Sequence, residues 1–278
     1  MEPHGENPKN LVVAIIPARY GSTRLPAKML CNIAGKPLIV RTLEQVVAAS
    51  TVSRVIAATD DRRIFDAVQA AGHEAVMTSA EHNSGSDRVA EVAETLPKGS
   101  MIVNVQGDEP LIDPATIDRA VNGMLDAERG MRNAELFPDI VTVSEPISDH
   151  DEELVNFNVV KVVTNEEGKA LYFSRSPIPF PRDASDRHGG PREALEAEPE
   201  LFSIFQKHCG LYVYRREYLL EFTKMPQTRL EKIEMLEQLR ALENGAYIKV
   251  VEAAGRSIAV DTQEDLERVR ALIENNYG

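Results

Sequence analysis

The sequence predicts an α/β protein built on a mixed, mainly parallel sheet with helices on both faces. Short, continuous apolar runs, typical of buried parallel strands, occupy residues 11–16, 54–58, 75–77 and 101–105. Segments with a helical spacing of apolar residues separate these runs, at 37–50, 64–71 and 87–95. Strands and helices that alternate in this way form βαβ units. With 278 residues, the chain can bury such a core without metal or disulfide cross-links.

In the first half of the chain, polar turns follow the apolar runs. The first strand ends at Pro17, and the turn 59–61 (Thr-Asp-Asp) follows the second strand. Gly72 ends the helix at 64–71. The segment 106–110 (Gln-Gly-Asp-Glu-Pro) follows the strand at 101–105. Turns at the carboxyl ends of parallel strands are where such sheets bind ligands.

The second half is less regular, with strands expected at 139–145, 158–164, 170–174, 210–214 and 247–252. Residues 177–200 are rich in proline, glycine and charge, which predicts a long, mobile surface loop. An amphipathic helix is expected over 230–244, followed by Gly245 at the position that favours glycine. Its buried side should carry Ile233, Leu236, Leu239 and Leu242.

The chain has no linker, so we expect a single domain of two lobes over residues 11–278. The first lobe should cover about 11–120 and the second about 139–240, and the polar residues 1–10 should form a flexible N-terminus.

Charge and hydropathy exclude several classes of partner. The 31 basic and 44 acidic residues give a net charge of −13, which argues against a broad nucleic-acid surface. No run approaches the roughly 18 apolar residues of a membrane span, and the N-terminus lacks the apolar segment of a secretory signal. We therefore expect a cytoplasmic protein that binds neither nucleic acid nor membrane.

The basic residues are concentrated after the first strand. Residues 17–28 include Arg19, Arg24 and Lys28 together with two hydroxyl side chains, Ser22 and Thr23. The segment is neither a dinucleotide-binding glycine fingerprint nor a P-loop. A polyphosphate needs cations at several oxygens plus backbone donors, and this loop offers both.

Two carboxylates are candidates for holding Mg²⁺. Asp108 comes directly after a buried strand and a glycine, and Asp261 precedes the last helix. Each has a structural alternative: Asp108 can simply end a strand, whereas the Thr262 and Asp265 pair beside Asp261 is first of all a helix cap.

Together these motifs resemble the sugar nucleotidyltransferases, and among them the CMP-Kdo synthetase family. The resemblance runs from about residue 11 to 272 through the segments IIPARYGSTRLPAK, ATDD, HNSGSDRVAEV, IVNVQGDEP, NVVKVV, LYFSR, KHCGLYVYR, LEKIEMLEQLR and VDTQEDLERV. It implies a Rossmann-like, glycosyltransferase-A-like fold with a nucleotide lobe and a smaller sugar-binding and dimerisation lobe. The implied reaction transfers CMP from CTP to the anomeric hydroxyl of 3-deoxy-D-manno-octulosonate (Kdo), with Mg²⁺, in a homodimer of lipopolysaccharide biosynthesis.

The resemblance also implies residue roles. The nucleotide would be bound by Arg19, Ser22, Arg24, Lys28, Arg88, Gln106 and Asp108. Of these, Arg19, Lys28 and Asp108 would be catalytic, and Asp108 and Asp261 would hold the metal. The sugar would be bound by Arg175, His208, Tyr212, Glu237 and Gln238, with Arg175 or His208 pairing the Kdo carboxylate. Phe157 and Val159 depart from the family pattern near the expected sugar pocket.

Three alternatives remain open at this stage. The acceptor could be an 8-amino analogue of Kdo or another acidic sugar such as a sialic acid. It could also be a neutral hexose, although Arg175 and His208 favour an acid. In a different class, the chain could be a catalytically silent nucleotide-binding regulator, which the presence of Lys28 and both carboxylates disfavours.

Overall fold

A computed structural model describes residues 11–22, 24–130, 137–147 and 150–276. Its helices and strands, in chain order, are β1 (Val12–Ala18), β2 (Asn32–Ile33), β3 (Lys36–Pro37), α1 (Leu38–Val47), β4 (Arg54–Thr59), α2 (Arg62–Ala70), β5 (Glu74–Met77), α3 (Gly85–Glu94), β6 (Met101–Asn104), α4 (Pro114–Gly130), β7 (Ile140–Pro146), α5 (His150–Val155), β8 (Lys161–Thr164), β9 (Ala170–Ser174), α6 (Arg182–His188), α7 (Pro191–Ala197), β10 (Gln206–Arg215), α8 (Arg216–Phe222), α9 (Arg229–Glu234), α10 (Gln238–Glu243), β11 (Ile248–Glu252) and α11 (Gln263–Asn276). Within these ranges, no helix is long and apolar enough to cross a membrane.

The chain divides into two compact units. Unit 1 contains the chain up to Leu125, Leu211–Lys224 and the residues from Ala254 onward, and unit 2 contains Asp126–Gly210 and Met225–Ala253. The segment expected to be a flexible N-terminus, 1–10, lies outside the described residues.

Unit 1 is a parallel sheet in the order β6-β1-β4-β5, with the C-terminal part of β10 antiparallel beside β6. All seven residues of β1 are buried, as expected for a strand covered on both faces. The four predicted strands and three predicted helices of this part are present, with ends shifted by at most three residues. Side-chain caps fix the starts of α2, at Asp61, and α3, where Ser84 and Asp87 form a capping box.

Unit 2 contains a parallel pair, β7 and β11, and an antiparallel pair, β8 and β9, with the N-terminal part of β10 beside β8. Its core includes a cluster of Ile147, Leu154, Leu195 and Phe205.

The prediction of a loop over 177–200 is wrong, because α6 and α7 lie within it and a 3-10 helix, Pro199–Ile204, follows. Gly189 adopts a positive φ at the end of α6, and Pro191 is the first residue of α7. The glycine and proline residues therefore mark helix ends, and Leu195 anchors the segment in the core.

The prediction of one helix over 230–244 is also wrong. Met235 has a left-handed backbone (φ 53°, ψ 47°) and separates α9 from α10. The break alters the expected buried side: Leu236 and Leu239 are buried, whereas Ile233 is 68% exposed. Gly245 follows α10 with a positive φ of 84°, as expected.

Candidate active site

Lys28 lies at the centre of the candidate site in unit 1. It begins a short 3-10 helix, Lys28–Leu30, directly after Ala27, whose backbone is left-handed. Its side chain is buried, and Nζ donates to Asp108 Oδ2 at 2.5 Å and to Asp261 Oδ1 at 3.0 Å. The two carboxylates expected to share a metal therefore converge on one atom of Lys28.

A close backbone approach brings Asp108 to this point. A Cβ atom on Gly107 would lie 3.0 Å from the Pro17 carbonyl oxygen and 3.2 Å from Met29 Sδ, so this position favours glycine. Thr42 holds the turn from the other side, since its hydroxyl donates to the Gly107 carbonyl at 2.9 Å. The sequence did not predict this contact of Thr42, which was expected only to be part of the helix at 37–50.

Asp261 is placed by a backbone contact and by the helix cap beside it. The Val260 N–H donates to the Asp108 carbonyl at 2.9 Å, which joins the segment before α11 to the turn after β6. The expected cap is present: Asp265 N–H donates to Thr262 Oγ1 at 3.2 Å, and Thr262 N–H donates to Asp265 Oδ2 at 2.8 Å. The Asp261 carboxylate takes no part in this cap and instead pairs with Lys28 and, at 3.0 Å, with Arg24.

The charges around Lys28 hold its proton. Burial lowers the pKa of Lys28, but the neighbouring Asp108 and Asp261 outweigh burial, and the net pKa is raised above its usual value. The ammonium is thus charged at neutral pH and available to a phosphate oxygen.

The carboxylates are compatible with a shared Mg²⁺. Both reach within 3.0 Å of a single atom, and Mg²⁺ typically takes one or two carboxylates and completes its shell with waters and substrate phosphates. The described ranges contain no group of three or more His, Cys, Asp or Glu side chains that would hold a metal without a substrate. The two carboxylates are thus a donor set of the kind that Mg²⁺ takes from a protein.

The remaining residues expected at the nucleotide differ in exposure. Arg19 is exposed and Gln106 is half-buried, whereas Ser22 Oγ accepts a hydrogen bond from Leu25 N–H at 3.4 Å.

Sequence reasoning missed Arg63, whose guanidinium lies 3.3 Å from the centre of the Tyr20 ring and pairs with Asp61. This contact joins the first turn of α2 to Tyr20, the residue that follows Arg19.

Arg88, which was expected to bind the nucleotide, is buried and bonded within unit 1. It is 1% exposed, and its guanidinium donates to Asp60 Oδ2 at 2.8 Å and to Thr78 Oγ1. In this structure Arg88 therefore holds together the turns after β4 and β5, a structural contact.

The residues expected at the sugar are divided between the units. Tyr212 belongs to unit 1, where its ring stacks on Tyr214 at 5.8 Å. Arg175, His208, Glu237 and Gln238 belong to unit 2. Glu237 directly precedes α10, with its Oε1 3.6 Å from Arg240 Nη2, and Gln238 is the first residue of α10 and is buried.

Arg175 was expected to present its charge to a carboxylate, but much of its guanidinium is already bonded within unit 2. Nε donates to the Glu234 carbonyl at 2.7 Å, and Nη1 donates to the Phe157 carbonyl at 2.8 Å. Nη2 donates to the Met235 carbonyl at 3.3 Å. These bonds use three of its five N–H donors, and one further N–H on each of Nη1 and Nη2 is left over.

His208 was one of the two residues expected to pair the carboxylate, and its surroundings favour the neutral ring. Its ring lies edge-on to Phe173 at 5.1 Å and shares a hydrogen bond of 2.9 Å with Thr142 Oγ1. Burial lowers the pKa of His208 to about 3, so the ring is neutral at physiological pH. It can exchange hydrogen bonds with a sugar hydroxyl, but it supplies no charge.

Comparisons with known proteins identify the family of the chain. Residues 13–253 match the cytidylyltransferase family. A 3-deoxy-manno-octulosonate cytidylyltransferase of Trichlorobacter lovleyi is 51% identical over 93% of this chain and 97% of its own. One of Geobacter sulfurreducens is 50% identical over the same shares.

A solved structure of CMP:2-keto-3-deoxy-manno-octonic acid synthetase, complexed with CTP, is also similar. It superposes with a TM-score of 0.81 at 38% identity, covering 96% of this chain and 99% of that one. The predicted α/β fold is thereby confirmed, and the chain belongs to the cytidylyltransferase family.

Proposed function

We propose that this protein transfers CMP from CTP to the anomeric hydroxyl of Kdo and releases pyrophosphate. The observation that carries the proposal is the Lys28 ammonium held between Asp108 and Asp261 at the carboxyl edge of the parallel sheet. Relatives of about half-identical sequence, which span almost the whole chain, are 3-deoxy-manno-octulosonate cytidylyltransferases. Because the product is CMP-Kdo, the enzyme would supply lipopolysaccharide biosynthesis.

The proposed reaction is an in-line displacement at the α-phosphorus. The sugar hydroxyl oxygen bonds to that phosphorus and its proton passes to water. The bond from phosphorus to the bridging oxygen breaks, and pyrophosphate leaves with the electron pair. Negative charge builds on the phosphate oxygens, where Lys28 and the exposed Arg19 can donate. Arg24 pairs with Asp261 in this structure and can exchange that carboxylate for a phosphate.

Asp108 and Asp261 would hold Mg²⁺ in the working enzyme. Bound there, the metal would neutralise triphosphate charge and lower the pKa of a coordinated hydroxyl. A triphosphate competes with both carboxylates for the Lys28 ammonium, so nucleotide binding would release them as metal ligands.

Within unit 2, the donors left on Arg175 suit a bidentate contact with the Kdo carboxylate. His208 would bind a hydroxyl of the sugar in its neutral form, because burial keeps its pKa low. Tyr212, Glu237 and Gln238 remain predicted sugar contacts.

We further propose that the protein is a cytoplasmic homodimer that pairs through unit 2. This unit carries large apolar side chains on its surface, including Phe157, Ile233 and Met235, which are 69%, 68% and 75% exposed. Phe157 is also one of the departures from the family pattern. Analytical ultracentrifugation would test the dimer, and a monomer at micromolar concentration would contradict it.

The activity is tested by incubating the protein with CTP, Kdo and Mg²⁺. We expect one pyrophosphate released for each CMP-Kdo identified by mass spectrometry, and no release when Kdo is omitted. CTP binding without pyrophosphate release would favour the silent regulator and contradict the proposal.

A further inference from the structure

Lys161 is a fully buried cation in unit 2 to which the proposed reaction gives no role. It is the first residue of β8 and has no exposed surface. Its Nζ donates to three backbone carbonyls, those of Asn156 at 3.1 Å, Val159 at 2.7 Å and Arg175 at 2.7 Å. A buried ammonium is costly unless its donors are all used, and here three carbonyls converge on it.

Lys161 and Arg175 both donate hydrogen bonds to main-chain carbonyls of residues 156–159. Lys161 Nζ donates to the carbonyls of Asn156 and Val159. Between these two residues, the Phe157 carbonyl accepts from the Arg175 guanidinium. The main chain of Arg175 is held on both sides, because its carbonyl accepts from Lys161 and its N–H donates to Glu234 Oε2 at 3.0 Å. The backbone from which the guanidinium extends is thus fixed by one buried cation and one carboxylate.

We propose that Lys161 is a positioning residue that fixes Arg175 in the orientation needed to bind the carboxylate of the acid sugar. The inference rests on the proposed function, because it takes Arg175 as the sugar's carboxylate partner. Lys161 itself has no exposed surface, so it acts through Arg175 and not by contact with the substrate.

The electrostatics of the pair are consistent with this role. Burial lowers the pKa of Lys161, and the nearby Arg175 charge lowers it further, whereas Glu234 opposes both. The Lys161 ammonium is therefore stabilised by the three carbonyls that accept its hydrogen bonds, and it fixes their positions in turn.

The test compares Lys161→Met with a matched control, Lys207→Met. Lys207 lies directly across from Lys161 in the antiparallel register of β8 and β10, and its Nζ pairs with Glu145 and Glu153 at 3.2 Å each. Each variant is measured for the KM of Kdo, the Kd of CTP by calorimetry and the melting temperature. The Arg175→Ala variant and its combination with Lys161→Met complete a double-mutant cycle.

We expect Lys161→Met to raise the KM for Kdo about tenfold, the loss typical of one charge-assisted hydrogen bond, and to leave the Kd of CTP within about twofold. In the Arg175→Ala background it should have no further effect. Lys207→Met should lower the melting temperature without changing the KM for Kdo. Three results would each overturn the proposal. The KM for Kdo could be unchanged in Lys161→Met, or it could rise equally in Lys207→Met. In the double variant, the two increases in KM could multiply, as they do for independent sites.

A second measurement separates this proposal from the proposed function. Exchange of the Arg175 Nε–H, followed by NMR, reports on its bond to the Glu234 carbonyl without any substrate. Faster exchange in Lys161→Met than in Lys207→Met supports positioning, and equal exchange overturns it, even if Kdo proves not to be the substrate. Should Lys161→Met fail to fold, Lys161→Gln is judged by the same criteria.

Discussion

Replacing Asp261 with asparagine is expected to remove most activity while leaving the last helix intact. The amide keeps the shape of the side chain but is a weaker ligand for a hard cation. The neighbouring Thr262→Ala should keep its activity, because Thr262 Oγ1 accepts from the Asp265 N–H and caps α11, whereas the Asp261 carboxylate pairs with Lys28 and Arg24. Two adjacent positions thus separate catalysis from helix capping.

The stability costs of the two changes are similar and small. Asp261 and Arg24 are 36% and 58% exposed at the side chain, so their pairing contributes at most about 1 kcal/mol. Lys28 keeps Asp108 as a partner in the Asp261→Asn variant. Loss of the Thr262 cap also costs about 1 kcal/mol. Each variant should therefore melt roughly 2–4 °C below the wild type.

Pyrophosphate release at increasing Mg²⁺ concentration distinguishes the variants. Asp261→Asn should be slower by about a hundredfold, the loss typical of one electrostatic contact to the transition state, and should recover in part at high Mg²⁺. Thr262→Ala should keep its turnover per folded molecule. An Asp261→Asn variant that melts early but turns over normally at low Mg²⁺ would refute the two-carboxylate metal site.

Three further outcomes follow from the structure. Lys28→Ala should slow turnover of CTP by about a hundredfold, and pyrophosphate release within threefold of wild type would assign Lys28 to the fold alone. Because the pKa of His208 is about 3 in the fold but about 6.5 when unfolded, only the unfolded chain gains its proton as pH falls through this window. The free energy of unfolding should then drop by up to about 1.4 kcal/mol per pH unit below pH 6.5; chemical denaturation at pH 7 and 5 measures it, and His208→Gln with the same pH slope as wild type would contradict it. Met235→Gly should melt above Met235→Val, since a β-branched residue is strained at φ 53°; the opposite order in calorimetry would refute the strain argument.

The parallel half of the fold could be predicted because burial on both faces leaves a continuous apolar run, as in β1. The second half could not, because proline and glycine are typical of both loops and helix ends. Pro191 and Gly189 mark helix ends here, and the apolar contacts of Leu195 that distinguish the two cases are distant in sequence. At Met235 the helix breaks without either residue, so no local pattern predicts it.

The candidate site, too, could be predicted from the sequence only in part. Lys28, Asp108 and Asp261 could each be predicted from their position after a strand or before a helix, but their convergence required the contact between Val260 and Asp108. The roles expected for Arg88 and His208 depended on surroundings that the sequence does not contain. The Arg88 guanidinium donates to Asp60 and Thr78, and burial beside Phe173 lowers the pKa of His208.

The most direct test of the central claim is a matrix of four ribonucleoside triphosphates against Kdo, its 8-amino analogue, a sialic acid and glucose-1-phosphate, with pyrophosphate release as the signal. We predict strong release for CTP with Kdo, weak release for the other nucleotides and none with glucose-1-phosphate. Equal release from CTP and UTP, or a preference for the neutral sugar phosphate, would contradict the account.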